Sequence, residues 1–432
     1  MKKVVAFAAA SAAVLTIASQ AQAGGFYLQE QSARGAGRAF SGEVADQGVA
    51  SLWWNPASIA RSGREAYVGA HAIFVDADVT NTGSTITYPG GVTLPVSGEP
   101  RAFNPINDGV APNFAVALPV GDRFAVGLSV AAPFNFTTEY RNTAWTRFDA
   151  LESRLTSGDV QLTGAMRVTD WLDLGVSVDG QYVDAKLSTA YPNLSPLLPS
   201  GVSQLSGEGL DWGWSAGAQA HFDRLTLGAS YRSAIEHELD GRVIVGGLVG
   251  PLAGVNGDFY GQASFTTPWI ATAGLRYALN DKLTLNAQVQ RIGWGEFDAI
   301  TVNQETPAGV QTQALAQNYK DVTSGGVGVD YAVNDRVTLR AGVQYDPTPT
   351  RDEERTARVP DGDRYLYSVG ATGKVNDRLS VDAAFTVINF KDSEIHHDTT
   401  FYGGTAAATT TRLRGEVQGT GYVMSLGLRT SF

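Results

Sequence analysis

Apolar and polar residues alternate along most of this chain. Over 123–130, Phe124, Val126, Leu128 and Val130 fall on one side and Arg123, Ala125, Gly127 and Ser129 on the other, the period of two that sends successive side chains to opposite faces of a strand. The pattern returns at 171–179, where Leu172, Leu174, Val176 and Val178 oppose Asp173, Ser177 and Asp179, and again at 283–290, 337–345 and 379–387. Between these runs stand six short turns: VGDRF (120–124), VTDWL (168–172), FDRLT (222–226), LNDKL (279–283), VNDRV (333–337) and VNDRL (375–379). Asn and Asp clusters between alternating runs are turn-formers. They recur too far apart for a simple meander, so each interval holds a strand out, a longer loop and a strand back. Six turns joining seven hairpins predict fourteen strands. An even count, tight turns at one end and long loops at the other describe an all-β, antiparallel transmembrane barrel of the bacterial outer membrane.

Composition excludes a helical membrane protein, but a soluble all-β chain could share much of it, so the strand count, the leader and the terminus decide for a barrel. No window reaches the apolar length of a membrane helix, and the mean hydropathy of −0.09 sits beside 49 glycines and 10% aromatics. Charges such as Arg167, Asp179, Arg232, Arg276, Asp330, Arg340 and Asp382 fall on the polar side of strands, which suits a lumen. The first 23 residues read as a secretory leader: Lys2 and Lys3, an apolar run from Val4 to Ile17, then Ala21-Gln22-Ala23 as cleavage site. Losing Lys2 and Lys3 takes the formal charge from −11 to −13, so no nucleic-acid partner is expected. With no cysteine, disulfides and thiolate chemistry are excluded. The histidines (His71, His221, His237, His396, His397) lack metal-ligand spacing, and no metal or cofactor is expected. The last strand alternates Tyr422, Met424, Leu426 and Leu428 and ends in Phe432. That terminus resembles the signal by which barrels are handed to the outer-membrane assembly machinery, although Thr430 departs from it.

Three segments break the alternation. Residues 24–63 carry small residues, short apolar groups and Asn55-Pro56 but no strand pattern; they are too apolar for a disordered tail and are expected to fold as a plug ahead of a barrel spanning 64–432. Pro133 interrupts the third strand after Ala131 and Ala132. Proline cannot donate to a sheet ladder, and in a closed barrel this implies an opening between neighbouring strands. The outer loops expected at 188–209 and 239–264 carry Leu194, Leu197 and Leu198, and Leu248, Val249 and Leu252, apolar enough to mark a ligand-capturing surface.

The run GRAFSGE (37–43), then WNPAS (54–58), PINDG (105–109), WGW (212–214), ASYRS (229–233), NYKD (318–321) and VPDGDRY (359–365), resembles the FadL family of outer-membrane transporters for long-chain fatty acids and other hydrophobic molecules. The resemblance spans essentially the whole chain after residue 23. It implies a hatch with gating positions at Phe26, Gly35, Gly37, Asn55, Pro56 and Ala57, a lateral exit at the strand-three kink approached by the Asn-Pro-Ala region, and capture by the two apolar outer loops. It also implies cations inside the barrel, at positions held here by Thr189 and Leu315; Lys186 and Lys320 are the nearest candidates for head-group contact. That departure admits uncharged aromatic hydrocarbons as cargo. Asp361, Asp363 and Arg364 form a motif whose role the residues do not reveal. Lipopolysaccharide and outer-membrane lipid are expected neighbours of a monomer. Two readings of other classes are a structural or adhesive barrel, which predicts polar outer loops, and a lipid hydrolase using a serine with His237 or His396. An enzyme has no need of a forty-residue plug, so no enzymatic activity is expected.

Overall fold

The computed structural model describes residues 25–307 and 309–432; the leader expected at 1–23 lies outside them. Fourteen strands follow in chain order: β1 (Glu65–Asn81), β2 (Gly109–Val120), β3 (Phe124–Ala131 and Asn135–Glu139), β4 (Glu152–Arg167), β5 (Leu172–Tyr191), β6 (Gly201–Phe222) and β7 (Leu225–Arg232 and Ile235–Gly246). Then come β8 (Gly257–Thr267 and Trp269–Ala278), β9 (Leu283–Gly293 and Ala299–Thr306), β10 (Gly309–Ala316 and Val322–Ala332), β11 (Val337–Asp346), β12 (Arg364–Lys374), β13 (Leu379–Phe390 and Ser393–Phe401) and β14 (Thr409–Ser431). Each pairs antiparallel with its sequence neighbours. β1 closes the ring on β14 from Glu65↔Ser431 to Asn81↔Gly415, so the sheet has no free first or last strand.

All six expected turns join strands at one end. Asn280, Asn334 and Asn376 each accept two backbone N–H groups of their own turn, the local bonding that suits asparagine to such positions. The alternation holds as well. Phe124, Val126, Leu174, Val176 and Val178 are exposed, as a lipid-facing side should be, while Ala125, Ser129, Asp173, Ser177 and Asp179 are buried.

Two expected loops are shorter than the sequence suggested. β5 and β6 pair up to Tyr191↔Gly201, and β7 and β8 up to Val245↔Gly257, leaving connections of only 192–200 and 247–256. Apolar residues there that read as loop continue the strand alternation and are held in register by the ladder.

The barrel is filled. Apart from Gln47, every residue from 25 to 60 is buried. Ser32 caps a one-turn helix, Ala33–Ala36, by accepting from the Gly35 N–H at 3.1 Å, and Asn55 caps the 3₁₀ turn Pro56–Ile59 by accepting from the Ala57 N–H at 2.9 Å. This segment lies against the inward faces of β5, β6, β8 and β12–β14.

The topology predicts that Leu197→Cys, at the tip of the β5–β6 loop and 93% exposed, reacts with a membrane-impermeant maleimide on intact cells. Asp335→Cys, in the β10–β11 turn, should react only after lysis. The reverse pattern would invert the barrel.

Candidate functional site

The wall facing the N-terminal segment is stripped of side chains. Nine of the fourteen strands place a glycine where an added Cβ would lie 3.0 Å or less from an atom of that segment. Gly127 faces Leu52 and Ile59, Gly175 faces Pro56 and Ala57, Gly217 faces Asn55, and Gly228 and Gly274 face Val44. Gly328 faces Ser41, Gly342 faces Arg38, Gly370 faces Gly37 and Gly427 faces Ala33. Gly37 and Gly370 touch backbone to backbone, so Gly37 is a packing residue. Gly35 is another, since a Cβ there would strike the Glu43 carboxylate. The glycine count anticipated a β protein; its inward positions at one level were visible only once the segment had been placed.

Charges complete the seat. Arg38, fully buried, ion-pairs with Glu43, with Asp46 at 2.6 Å and with Asp330 of β10 at 3.5 Å. Arg276 of β8 bridges Asp330 at 2.7 Å and Asp46 at 3.3 Å, and Arg340 of β11 approaches Asp330 at 3.5 Å. Burial opposes ionisation of Asp46, yet Arg276, Arg34 and Arg38 outweigh it and hold the carboxyl well below its ordinary range. Arg232 of β7 pairs with Asp179 at 2.9 Å and donates to the Trp53 carbonyl at 3.1 Å. Four of the mid-strand charges that suggested a wet lumen, Arg232, Arg276, Asp330 and Arg340, bind the segment that fills it or join its ion-pair cluster. Removing one partner of such a buried pair costs about 3–5 kcal/mol, because the other charge is stranded.

At Pro133 the ladder parts. β2 and β3 pair from Val120↔Phe124 to Phe114↔Val130 and stop; they meet again only beyond the end of β2, at the Ile106↔Thr138 bridge. Inside this window the N-terminal segment substitutes for the missing neighbour: the Leu28 N–H donates to the Pro133 carbonyl at 2.7 Å and the Asn135 N–H to the Phe26 carbonyl at 3.0 Å. Ala131, Ala132 and Phe134 are buried beneath it. The Asn-Pro-Ala turn lies elsewhere. Asn55 donates to the carbonyls of Val44 and of Ala218 on β6, and Pro56 and Ala57 sit on Gly175 of β5. The expectation that this turn approaches the kink is therefore corrected: Phe26–Leu28 do so, because only an extended stretch can bond a strand edge.

Phe26 also borders a cavity of about 50 Å³. Its walls are apolar: Phe136, Leu155, Leu187, Leu205, Leu239, Phe265, Phe297 and Ile300. The Phe26 ring stands 4.7 Å from Trp294, 5.0 Å from Phe297 and 6.0 Å from Phe134 by centroids, so one aromatic cage joins cavity to kink. The polar lining is Arg154, Gln317 and Arg358. Arg154 pairs with Asp184 at 2.7 Å. Arg358, from the β11–β12 loop, donates to Ser153 at 3.2 Å and to Thr189 and lies 3.5 Å from Asp149. Burial pulls its guanidinium below the ordinary arginine value, with Asp149 opposing.

Lys186 and Lys320, the expected head-group candidates, lie outside this cavity. Lys186 is paired with Glu152 at 2.6 Å and Lys320 is exposed; neither lines the cavity. Arg358, which reaches Thr189, comes from a loop distant in sequence. Of the capture residues, Leu194, Leu248 and Leu252 pack together with Val245 and Tyr191. Leu197 and Val249 are exposed, and Leu198 lines an outer groove of about 1240 Å³ with Ile86, Tyr88, Leu94 and Phe148. His237 bonds Asp211, Gln181 and Thr267 rather than a serine, and His396 faces Glu394, which gives a hydrolase no triad.

The sequence matches the profile of the family described as "Outer membrane protein transport protein (OMPP1/FadL/TodX)" over residues 14–432. The chain belongs to this family. A long-chain fatty acid transport protein of Escherichia coli O6:H1 is 25% identical across 87% of this chain and 89% of its own. The crystal structure of a Pseudomonas aeruginosa FadL homologue superposes with a TM-score of 0.80 at 25% identity, covering 94% of this chain and 100% of that one. The Ralstonia pickettii toluene transporter TbuX shares the fold with a TM-score of 0.64 at 20% identity, over 93% and 98%. This FadL/TodX-family member is accordingly an outer-membrane transport barrel and not an enzyme.

Two predictions follow from the seat. Gly342→Leu pushes against the Arg38 backbone and should raise single-channel conductance in planar bilayers, whereas Gly164→Leu, with open space at its Cβ, should leave it unchanged. Glu30 supplies a pH dependence. Burial, only partly offset by Arg364, pushes its carboxyl up to about 7. The folded segment therefore holds a proton that an unfolded one loses above its ordinary value of about 4.3. Seating is most stable below that value and weakens as pH rises through 7. Protease protection of the N-terminal segment should increase from pH 8 to pH 6, and Glu30→Gln should flatten that slope.

Proposed function

We propose that this barrel imports hydrophobic molecules with at most one small polar end, long-chain fatty acids first among them, and releases them sideways into the outer membrane. Residues 25–62 act as a hatch closing the vertical route. Apolar cargo gains about 25 cal/mol for each Å² removed from water, so it needs a chain of apolar sites rather than an aqueous pore. The outer groove at Leu198, where Ile86, Leu94 and Phe148 stand beside Ser97, Asn142, Thr143 and Arg147, is the place of first contact, and the apolar cavity at Phe26 is the next site. Exit follows when Phe26–Leu28 withdraw from the β2–β3 window, since these residues supply its backbone bonds and one wall of the cavity.

The observation carrying this reading is a largely apolar cavity with Arg358 among its few polar lining residues, next to a window whose backbone groups are bonded by Phe26 and Leu28. Arg358 is the head-group reader. The E. coli relative is named for long-chain fatty acids. A second reading, uncharged aromatic hydrocarbon, is favoured by the pairing of both arginines with Asp149 and Asp184 and by the four phenylalanines of the lining.

Binding to purified protein separates them. With Arg358→Gln, oleate should bind about tenfold more weakly, the value of one charge-assisted hydrogen bond, while oleyl alcohol is unaffected. Equal losses for both ligands would remove Arg358 from head-group recognition. Tight toluene binding with no measurable oleate uptake would replace the fatty acid by the hydrocarbon.

A further inference from the structure

Asp361, Asp363 and Arg364 fasten the β11–β12 loop region to the hatch. Asp363 accepts from Tyr345 and Lys391, Arg364 grips Asp346, and Asp361 accepts from the Gly25 N–H at 2.8 Å. The runs WGW (212–214) and ASYRS (229–233) meet elsewhere, at a second break in the wall. β6 and β7 pair from Val202↔Gly246 to Glu208↔Asp240 and again from Ser215↔Arg232 to Phe222↔Leu225. Between these stretches, 209–214 faces 233–239 out of register, although β6 stays paired there with β5, and β7 from Ile235 onward with β8. Six residues oppose seven, so the ladder cannot run on unbroken.

Side chains close this breach. The Glu238 N–H donates to Asp211 Oδ2 at 3.3 Å and the Trp214 N–H to Ser233 Oγ at 3.0 Å, where a regular ladder would offer carbonyls. From the inner face, Ile235 packs onto Gly213 and Leu239 onto Gly209. Between them the buried His237 ring bonds Asp211 at 3.1 Å, Gln181 at 3.1 Å and Thr267 at 3.3 Å. Of these inner side chains Asp211 alone keeps a sizeable exposed surface, 23%.

The breach has an apolar chamber on one side and the membrane boundary on the other. Leu239 and Gly207 line the cavity at Phe26, and the Phe265 ring, also in its lining, stands 5.3 Å from His237. Outside, Leu210, Trp212 and Trp214 are exposed, and Trp214, Tyr231 and Trp269 form a row with centroids 5.4 and 6.2 Å apart. Such rings mark the edge of the hydrocarbon, and the outward residues beyond them, Glu208, Asp240 and Arg242, are charged. At this height the wall is two aliphatic side chains resting on glycines, and side chains change rotamer far faster than a ladder opens.

We propose that this breach is a second lateral port, through which single apolar chains pass between the cavity and the outer boundary of the bilayer, and that Asp211 is its bolt. The proposal rests on the transport reading above. When Asp211 leaves the Glu238 N–H, the strands part, and Ile235 and Leu239 swing aside from glycines that present no side chain to a fatty tail. The polar end of the cargo stays at the aromatic girdle, in reach of water. Arg232, the last paired residue of β7 below the breach, donates to the Trp53 carbonyl and lies 4.6 Å from the Trp53 ring, so the hatch holds the wall shut beneath the port.

The test uses the purified full barrel in phosphatidylcholine vesicles and an oleate analogue with a mid-chain diazirine. Rapid mixing, freezing and irradiation report how fast the cavity residues Leu155 and Phe297 are labelled, with heat-modifiable mobility establishing assembly. Asp211→Ala should label at least about tenfold faster than the parent, the worth of one hydrogen bond to a charged acceptor, whereas Asp211→Asn, which still accepts from Glu238, should stay near it. Asp211→Cys with His237→Cys puts two thiols across the breach of a chain that has no cysteine. Bridged by a short bis-methanethiosulfonate, this variant should label more slowly than the parent; reduced, it should label faster. Should either set fail to assemble, the other decides. Equal rates in bridged and reduced protein, or Asp211→Ala no faster than the parent, overturn the port. A parent whose cavity takes no label at all refutes the transport reading on which the port rests.

Discussion

A backbone in lipid has no water to bond, so each strand must find its hydrogen-bond partners in a neighbour. That requirement closes β1 on β14 and sets the polar and apolar sides of every strand. It also gives the β2–β3 window its meaning. Pro133 has no N–H, the strand turns away from β2, and the carbonyl of Pro133 and the N–H of Asn135 are left without a ladder. The chain satisfies them with its own first described residues. A gap in the wall is thereby closed by a segment from the other end of the chain rather than by the sheet itself.

The same economy explains a filled lumen with so many charges. A barrel of this strand number has room inside, and the N-terminal segment takes that room by lying on glycine rather than on side chains. Backbone-level contact makes the seat close, and Arg38, Asp46, Asp330 and Arg276 make its register specific. Buried ion pairs contribute little net stability against apolar packing; what they add here is a penalty for any misplacement.

Cavity and window meet at one aromatic ring. Phe26 touches the lining through Phe136 and Phe297 and the kink through Phe134, so one ring belongs to both. Both arginines of the lining have carboxylate partners, Arg154 in Asp184 and Arg358 in Asp149.

The linear order of residues determined whatever depends on neighbours in sequence. Strand number, turn positions, inward and outward faces, the plug's existence and the break at Pro133 all follow from period-two alternation, Asn-Asp turns and the chemistry of proline, which act over a few residues. Where contacts join distant segments, local pattern was silent or misleading. Arg358 reaches Thr189 from the β11–β12 loop; Leu248 and Leu252 read as exposed but cover each other and Leu194; the Asn-Pro-Ala turn was expected at the kink, where Phe26–Leu28 lie. The glycines on opposite sides of the barrel share one level only because strand tilt and ring closure bring them there. Those relations belong to the tertiary structure, since each is a distance between residues that the chain itself leaves free to be near or far.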